Sequence, residues 1–442
     1  SKSLAVRHVW SSYPTANRSP YNISMRVAML SYHTCPLAAL GGKDTGGMNV
    51  YVRELTRSLG KVGIRVDVFT RSQDEHVPHV IHDLGNGNRV IHIPAGPEIP
   101  LPRDQWSRYI PEFTEAIQRF AVEQGVSYDL IHSHYWLSGL AGLTLQQVWK
   151  IPLVHMFHTL GEMKTRLGGT WEDPLRRQAE ESILSGANRI IAATPAERMQ
   201  LQMLYQADIR KIVVIPPGVD VELFHPVPVA DARERIGLAR DAQMILYVGR
   251  IERLKGVETL LRAAALLQTR GLLAPSCPCV AVIGGDPDHP QEEMQYLQEL
   301  RETLHVENVV SFLGRRPQNE LPYYYSAAQA VVMPSQYESF GMVALEAMAC
   351  GTPVVASGVG GLLYLVRDGR TGFHIPDSDP AALADRLQRL LTDPHLRHEL
   401  GRHAANVARS YSWERITDQV MTLYESVLAG IPETDKVPDH AH

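Results

Sequence analysis

The sequence predicts two doubly wound α/β domains that face each other across a cleft. Three observations predict this. Short β-branched runs alternate with longer helix-like patterns, the order of repeated βα units. Several of the short runs are apolar throughout, as strands are when helices cover both faces of a parallel sheet. The series also occurs twice, with the proline-rich stretch "PPGVDVELFHPVPVADARERIG" between the two copies.

In the first copy the expected strands are Val27–Ser31, Val66–Thr70, Val90–Pro94, Leu130–Ser133, Leu153–Phe157, Ile190–Ala193 and Ile212–Ile215. In the second they are Ile245–Val248, Val280–Ile283, Val309–Phe312, Ala330–Met333 and Val354–Ala356. Helical patterns lie between most of them, among them Val52–Gly60, Pro111–Val122, Val257–Ala274, Glu292–Leu304 and Ala382–Leu391. The expected organisation is an irregular arm over 1–24, one domain over 25–222, a second over 230–411, and a last helix over 412–430. That helix is expected to pack back on the first domain.

A chain of 442 residues has room for two or three such domains. With 44% apolar and 21% charged residues it can bury sizeable cores. The net charge of −5 argues against a nucleic-acid-binding protein, which needs a basic face, but allows a local basic pocket. No apolar run approaches the roughly 20 residues of a membrane span. Residues 1–24, with Trp10, Pro14, Asn17, Ser19 and Pro20, lack the apolar core of a signal peptide. A cytoplasmic location with reduced thiols is therefore expected. Of the cysteines Cys35, Cys277, Cys279 and Cys350, the Cys277-Pro-Cys279 pair has no second pair at zinc-like spacing.

Ligands of open α/β sheets bind beyond the carboxyl ends of the strands, and four stretches there carry chemistry. The first is "GGKDTGGMNVYVREL", Gly41–Leu55. Its Gly46-Gly47 pair allows backbone N–H groups and the next helix's N-terminus to approach an anion. A bare loop is the other reading, since glycine-rich turns are common. The second is "LYVGRIERLKGVETLL", Leu246–Leu261. Arg250 and Lys255, near a strand's carboxyl end, suit a diphosphate whose negative charge grows as a bond to it breaks. A solvated surface pair is the alternative.

The third is Tyr337–Met342, "YESFGM", with Ser335 at a strand end and Glu346 further on. A helix beginning at Gly341 leaves the N–H groups of Phe340, Gly341 and Met342 open to hydroxyls or phosphate oxygens. Glu338 and Glu346, as acceptor-only carboxylates, suit a ligand rich in O–H donors. Alternatively Glu338 complements the helix dipole and Glu346 is solvated. The fourth is "MFHTLGEMKTRLGG", Met156–Gly169, where His158 ends an apolar strand. A lone histidine there is more often structural than catalytic.

Together, "GR…K" and the two glutamates resemble the family 4 retaining glycosyltransferases of the GT-B fold, over nearly the whole chain after Met25. The resemblance implies that Glu338 contacts the transferred sugar and Glu346 the nucleotide ribose. It implies that Arg250 and Lys255 grip the diphosphate, that Arg316 lies near the base, and that His158 stands beside the donor sugar. Gly47, Phe340, Gly341 and Met342 complete the implied donor site. One departure is "GVGGLLYLV", Gly358–Val366, with Leu363-Tyr364 where many members have Pro-Glu.

For the acceptor, Arg103, Tyr135, Thr159 and Arg176 stand out in the first domain. Two arginines with hydroxyls suit a phosphate monoester, because guanidinium forks match phosphate oxygens. Gly46, Gly47, Asn49 and Lys164 join them on the resemblance. "DTGGMNVYVREL" and "HSHYWLSGLAG" are similar to the inositol-phosphate N-acetylglucosaminyltransferases, with Arg103 where a lysine is typical. "HTLGEMK" is similar to the "H-S-L-G-x-x-K" of sucrose-phosphate synthases. The expectation drawn is glucose transfer from UDP-glucose to fructose 6-phosphate, with an inositol phosphate and UDP-N-acetylglucosamine as the alternative. No cofactor or metal is expected. Asp286-Pro287-Asp288 is read as a turn. A dehydrogenase would need G-x-G-x-x-G after its first strand, which is absent. A sugar-binding module would need only one ligand face.

Overall fold

The computed structural model describes residues 25–38, 45–168, 173–273 and 279–430. The arm over 1–24, the first residues of the glycine-rich stretch and Cys277 lie outside the described residues. Two parallel sheets form the frame. The first contains β1 (Arg26–Leu30), β2 (Arg65–Arg71), β3 (Val80–Ile81), β4 (Arg89–Ile93), β5 (Leu130–His134), β6 (Leu153–Met156), β7 (Arg189–Ala192) and β8 (Ile212–Val214). Its order is β3-β4-β2-β1-β5-β6-β7-β8. The second contains β9 (Ile245–Val248), β10 (Val280–Ile283), β11 (Val310–Gly314), β12 (Ala330–Met333), β13 (Val354–Ser357) and β14 (Gly372–Ile375). Its order is β11-β10-β9-β12-β13-β14.

All the pairings are parallel except that of β3 with β4. The expected α/β class holds in both halves, and the strand cores are solid: β5, β9, β10, β12 and β13 are buried at every position. Sequence patterning does not show β3 and β14. The first is two residues long and half exposed, and the second, "GFHI", lies at a sheet edge with few β-branched residues.

Strand order reverses at β1 in the first sheet and at β9 in the second. These switch points are where doubly wound sheets open a crevice at their carboxyl ends. The loops after β1 and β9 carry the glycine pair and Arg250.

The chain crosses between the halves twice, and the crossings are tied together. The Val219 N–H donates to the Tyr411 carbonyl at 2.8 Å, and Val219 bridges Ser412 in parallel. Ser412 then caps the helix Trp413–Leu428 by accepting from the Arg415 N–H. That helix packs on the helix Gly47–Lys61 of the first domain. Its Trp413, Ile416, Val420, Met421, Leu423 and Tyr424 are buried in the cluster that holds Met29, Tyr51 and Leu55. Each such burial is worth about 1.5–3 kcal/mol, so the last helix fastens the second half to the first. No described helix is long and apolar enough to cross a membrane.

Candidate active site

One cavity opens between the two sheets, and the loops beyond β1, β5, β6, β9 and β12 line it. The wall contributed by the second domain starts at β9. Beyond it, Tyr247 donates its hydroxyl to the Arg250 carbonyl at 2.8 Å, which shapes the turn carrying Arg250. The guanidinium of Arg250 pairs with Glu252 at 2.7 Å. Lys255 closes a short 3-10 turn, and its Nζ lies 2.6 Å from a Glu338 carboxylate oxygen. The ammonium expected on a phosphate and the carboxylate expected on a sugar thus orient each other.

Glu338 precedes the helix Met342–Ala349, whose N-cap Gly341 has φ +104°, a conformation that disfavours side chains. An added Cβ there would also meet Leu362 at 2.6 Å. No side chain caps this helix, and Phe340, Gly341 and Met342 all line the cavity. The apposed wall is close: a Cβ on Gly47 would come within 3.2 Å of the Met342 sulfur.

Glu346 is 7% exposed. It accepts from the Tyr325 hydroxyl at 2.8 Å and from Gln318 Nε2 at 3.3 Å. Burial pushes its carboxyl up to about 7, against the pull of Tyr325, Gln318 and Arg53. Arg316 also lines the cavity, with its Nε held by the Tyr324 hydroxyl at 3.0 Å. Leu363 and Tyr364, where the sequence departs from the family pattern, are exposed and lie off the cavity wall.

The first domain's wall is assembled from distant segments. Tyr135 follows β5 and His158 follows β6, and both hold a left-handed backbone, at φ +71° and +63°. Such residues cost about 1–3 kcal/mol each and persist where the surroundings fix them. His158 Nε2 lies 3.0 Å from His134 Nδ1, so one ring donates to the other. Burial pushes the His158 imidazole down to about 3, and His33 adds to this. It is therefore neutral at physiological pH.

Arg103, Lys164, Thr159 and Tyr135 line this side, together with His33 and Trp106, which the sequence reading missed. The His33 ring lies 4.5 Å from Tyr135, and Arg103 sits 5.8 Å over the Trp106 ring. Burial first, then the positive charges of Arg103, Arg176 and Lys164, push His33 down to about 3. Arg103 and Lys164 thus share one end of the cleft, with Arg176 behind it.

Two expected contacts are placed differently. Arg176 is 1% exposed and stands behind the wall. Its Nε donates to Glu180 at 2.8 Å, its Nη2 to the Thr159 carbonyl and hydroxyl at 2.7 and 3.0 Å, and its Nη1 to the Tyr135 hydroxyl at 3.3 Å. It therefore holds two wall residues in place. Asn49 lines the cavity but uses its side chain within the protein. Its oxygen accepts from the Gly46 N–H at 2.9 Å, and its amide donates to Thr34 at 2.7 Å and to the Cys35 carbonyl at 2.8 Å. It pins the glycine pair to the loop after β1.

Tyr337 is another residue that sequence reasoning passed over. Its hydroxyl, from the second domain, accepts from the Leu160 N–H at 3.4 Å, two residues past His158. Its neighbour Glu338 is the only signal that marks it. Asp286 accepts from the N–H groups of Asp288 and His289 at 3.1 and 3.2 Å, the hydrogen bonding of a turn.

The arrangement offers cations and an uncapped helix N-terminus on one wall, and a cationic, hydroxyl-lined recess on the other. Comparison with known proteins decides the family. Residues 45–223 match the model of glycosyltransferase family 4, and residues 229–407 match that of the group 1 glycosyl transferases. A D-inositol 3-phosphate glycosyltransferase from Frankia alni is 42% identical over 90% of this chain and 98% of its own. One from Corynebacterium urealyticum is 41% identical over 94% and 99%.

The chain belongs to the GT-B glycosyltransferases of this family.

The boundary between the two family models, 223 to 229, falls in the proline-rich linker. The solved sucrose-phosphate synthase of Thermosynechococcus elongatus superimposes with a TM-score of 0.84. It is 37% identical over 92% of this chain and all of its own. The Anabaena HepE structure in complex with UDP and glucose shares the fold, at a TM-score of 0.70 and 20% identity. The protein is thus an enzyme that transfers a sugar, and its cleft is the family's interdomain cleft.

Proposed function

We propose that the enzyme transfers a hexosyl group, with retention, from a UDP-sugar to a hydroxyl of a small acceptor that carries a phosphate monoester. The observation that carries this is that Arg103 and Lys164 line one end of the cavity with Tyr135 and Thr159, which the buried Arg176 holds in place, facing the Arg250–Lys255 wall. In this reading Arg250, Lys255 and the N-terminus of Met342–Ala349 neutralise the donor's diphosphate. Glu338 accepts from the sugar hydroxyls, Glu346 accepts from the ribose hydroxyls, and Arg316 lies by the base. These groups supply the positive charge, so no metal is assigned a role.

The acceptor oxygen attacks the anomeric carbon on the face where the bond to the β-phosphate oxygen breaks. The departing phosphate oxygen takes the hydroxyl proton, and UDP leaves. Neutral His158 lines the sugar's place as a positioning group rather than a base. The two walls keep water from the activated sugar.

For the acceptor, full-length identity of 41–42% to D-inositol 3-phosphate glycosyltransferases favours an inositol phosphate. A second reading, fructose 6-phosphate from UDP-glucose, is favoured by the 37% identical sucrose-phosphate synthase and by Gly161 in "HTLG". Mass spectrometry of products separates them. UDP-glucose and UDP-N-acetylglucosamine are each offered with D-inositol 3-phosphate or fructose 6-phosphate. A glycosyl-inositol phosphate supports the first reading, and a disaccharide phosphate supports the second. UDP release with neither product overturns the phosphorylated-acceptor reading.

A further inference from the structure

Behind the Glu346 carboxylate a chain of side chains crosses from one domain to the other. Arg53, on the helix Gly47–Lys61 of the first domain, donates through Nη2 to the Gln318 side-chain oxygen of the second. Gln318 Nε2 donates to Glu346 Oε1 at 3.3 Å, and Tyr325 donates to Oε2 at 2.8 Å. Only one amide orientation serves both ends of this chain. A guanidinium is a pure donor and an ionised carboxylate a pure acceptor, so the glutamine must turn its oxygen to Arg53 and its amide to Glu346.

The arginine is itself fixed. Its Nε pairs with Glu54 at 2.7 Å, and Arg57 shares that carboxylate at 3.1 Å. Arg53 lies outside the cavity wall, whereas Gln318 and Glu346 line it.

We infer that Arg53 is a donor-positioning residue contributed by the opposite domain, holding Glu346 through Gln318 in the orientation that reads the nucleotide ribose. The inference rests on the reading that Glu346 meets the ribose. Burial raises the Glu346 carboxyl, and Arg53 is among the groups that oppose this rise. The relay therefore favours the ionised, acceptor-only form that paired hydroxyls need. It also links donor binding to the closeness of the two domains, because the arginine and the carboxylate belong to different halves.

The test compares kcat/KM for the UDP-sugar and its 2′-deoxyuridine counterpart in the full chain. Arg53→Met keeps the apolar stem and removes the guanidinium, and Gln318→Leu severs the relay. Each is expected to raise the donor KM about tenfold, the worth of a hydrogen bond to a charged group, and to shrink the ribose preference, with acceptor KM unchanged. The double variant is expected to lose no more than Gln318→Leu alone, since both act through one chain. Arg53→Lys, which keeps a donor, is expected to recover part of the preference.

Glu346→Gln tests the underlying reading. If it leaves the ribose preference intact, Glu346 does not read the ribose. If it abolishes the preference while Arg53→Met and Gln318→Leu retain it, the relay alone is overturned. Additive losses in the double variant overturn it as well.

Discussion

The two walls of the cleft solve opposite problems with different materials. The wall proposed for the donor draws on Arg250–Lys255, Arg316–Gln318 and Glu338–Glu346, and it carries two matched pairs at the cavity surface, Lys255 with Glu338 and Arg250 with Glu252. The wall proposed for the acceptor draws on more widely separated segments, among them those of His33, Arg103, Tyr135 and Thr159. It places Arg103 and Lys164 at its surface near a histidine that burial has made neutral, and it holds the Arg176–Glu180 pair behind the surface. In the proposed reading, diphosphate binding rests on Arg250 and Lys255, while acceptor choice depends on how Tyr135, Thr159 and Arg103 are held.

The largest effect expected is at the buried pair. Glu180→Ala leaves Arg176 with an uncompensated charge at near-complete burial and should lower stability by about 3–5 kcal/mol, read from denaturant unfolding. Because Arg176 holds Thr159 and Tyr135, acceptor KM should rise while donor KM does not. Equal changes in both would erase the distinction between the walls.

Next come Arg250→Ala and Lys255→Ala. Each should lower kcat by about 10²-fold or more, as for other lost charge-stabilising groups, with acceptor KM little changed. Turnover like that of the parent in both would remove the charge assignment from the donor wall.

Arg103→Ala sharpens the comparison from the other side. Acceptor KM should rise about tenfold, one charge-assisted hydrogen bond, with kcat preserved at saturation. Steady-state kinetics with acceptor varied at fixed donor would show it.

The smallest effect concerns Glu197, buried beneath the Ala193 stretch of the cavity, where it accepts from the Ala193 N–H at 2.7 Å. Burial raises its carboxyl from 4.5 to about 7. The folded state therefore holds this proton to higher pH than the unfolded chain does. The stability this contributes is full below the unfolded value of 4.5 and is lost as pH rises through about 7. Glu346 shifts the same way, so the parent's Tm should fall over that window for two reasons. Glu197→Gln should flatten the fall without abolishing it. An unchanged slope would mean that Glu197 does not titrate there.

The same contrast explains how much could be read in advance. The βα order, the two sheets and the donor stretches are legible because each is local: an apolar run, a glycine, a cation or carboxylate at fixed spacing. Glu338 and Glu346 are eight positions apart and share one helix entrance. The acceptor wall is not local. Nothing in "IHSHYW" marks Tyr135 as left-handed, and nothing in "WEDPLRRQAEE" separates the buried Arg176 from the exposed Arg177 beside it. His33 becomes a site residue only because β1 and β5 are neighbours in the sheet. Asn49 sits in the expected loop, yet its role is to hold that loop's shape, which spacing does not distinguish from touching a ligand.

The most direct test of the central claim is a ratio: kcat/KM for the phosphorylated acceptor over its unphosphorylated counterpart, in the parent and in Arg103→Ala. The account predicts a strong preference for the phosphate ester in the parent, reduced about tenfold by the substitution, with the unphosphorylated acceptor used equally well by both proteins. A parent that uses the unphosphorylated acceptor as well as the ester would contradict it.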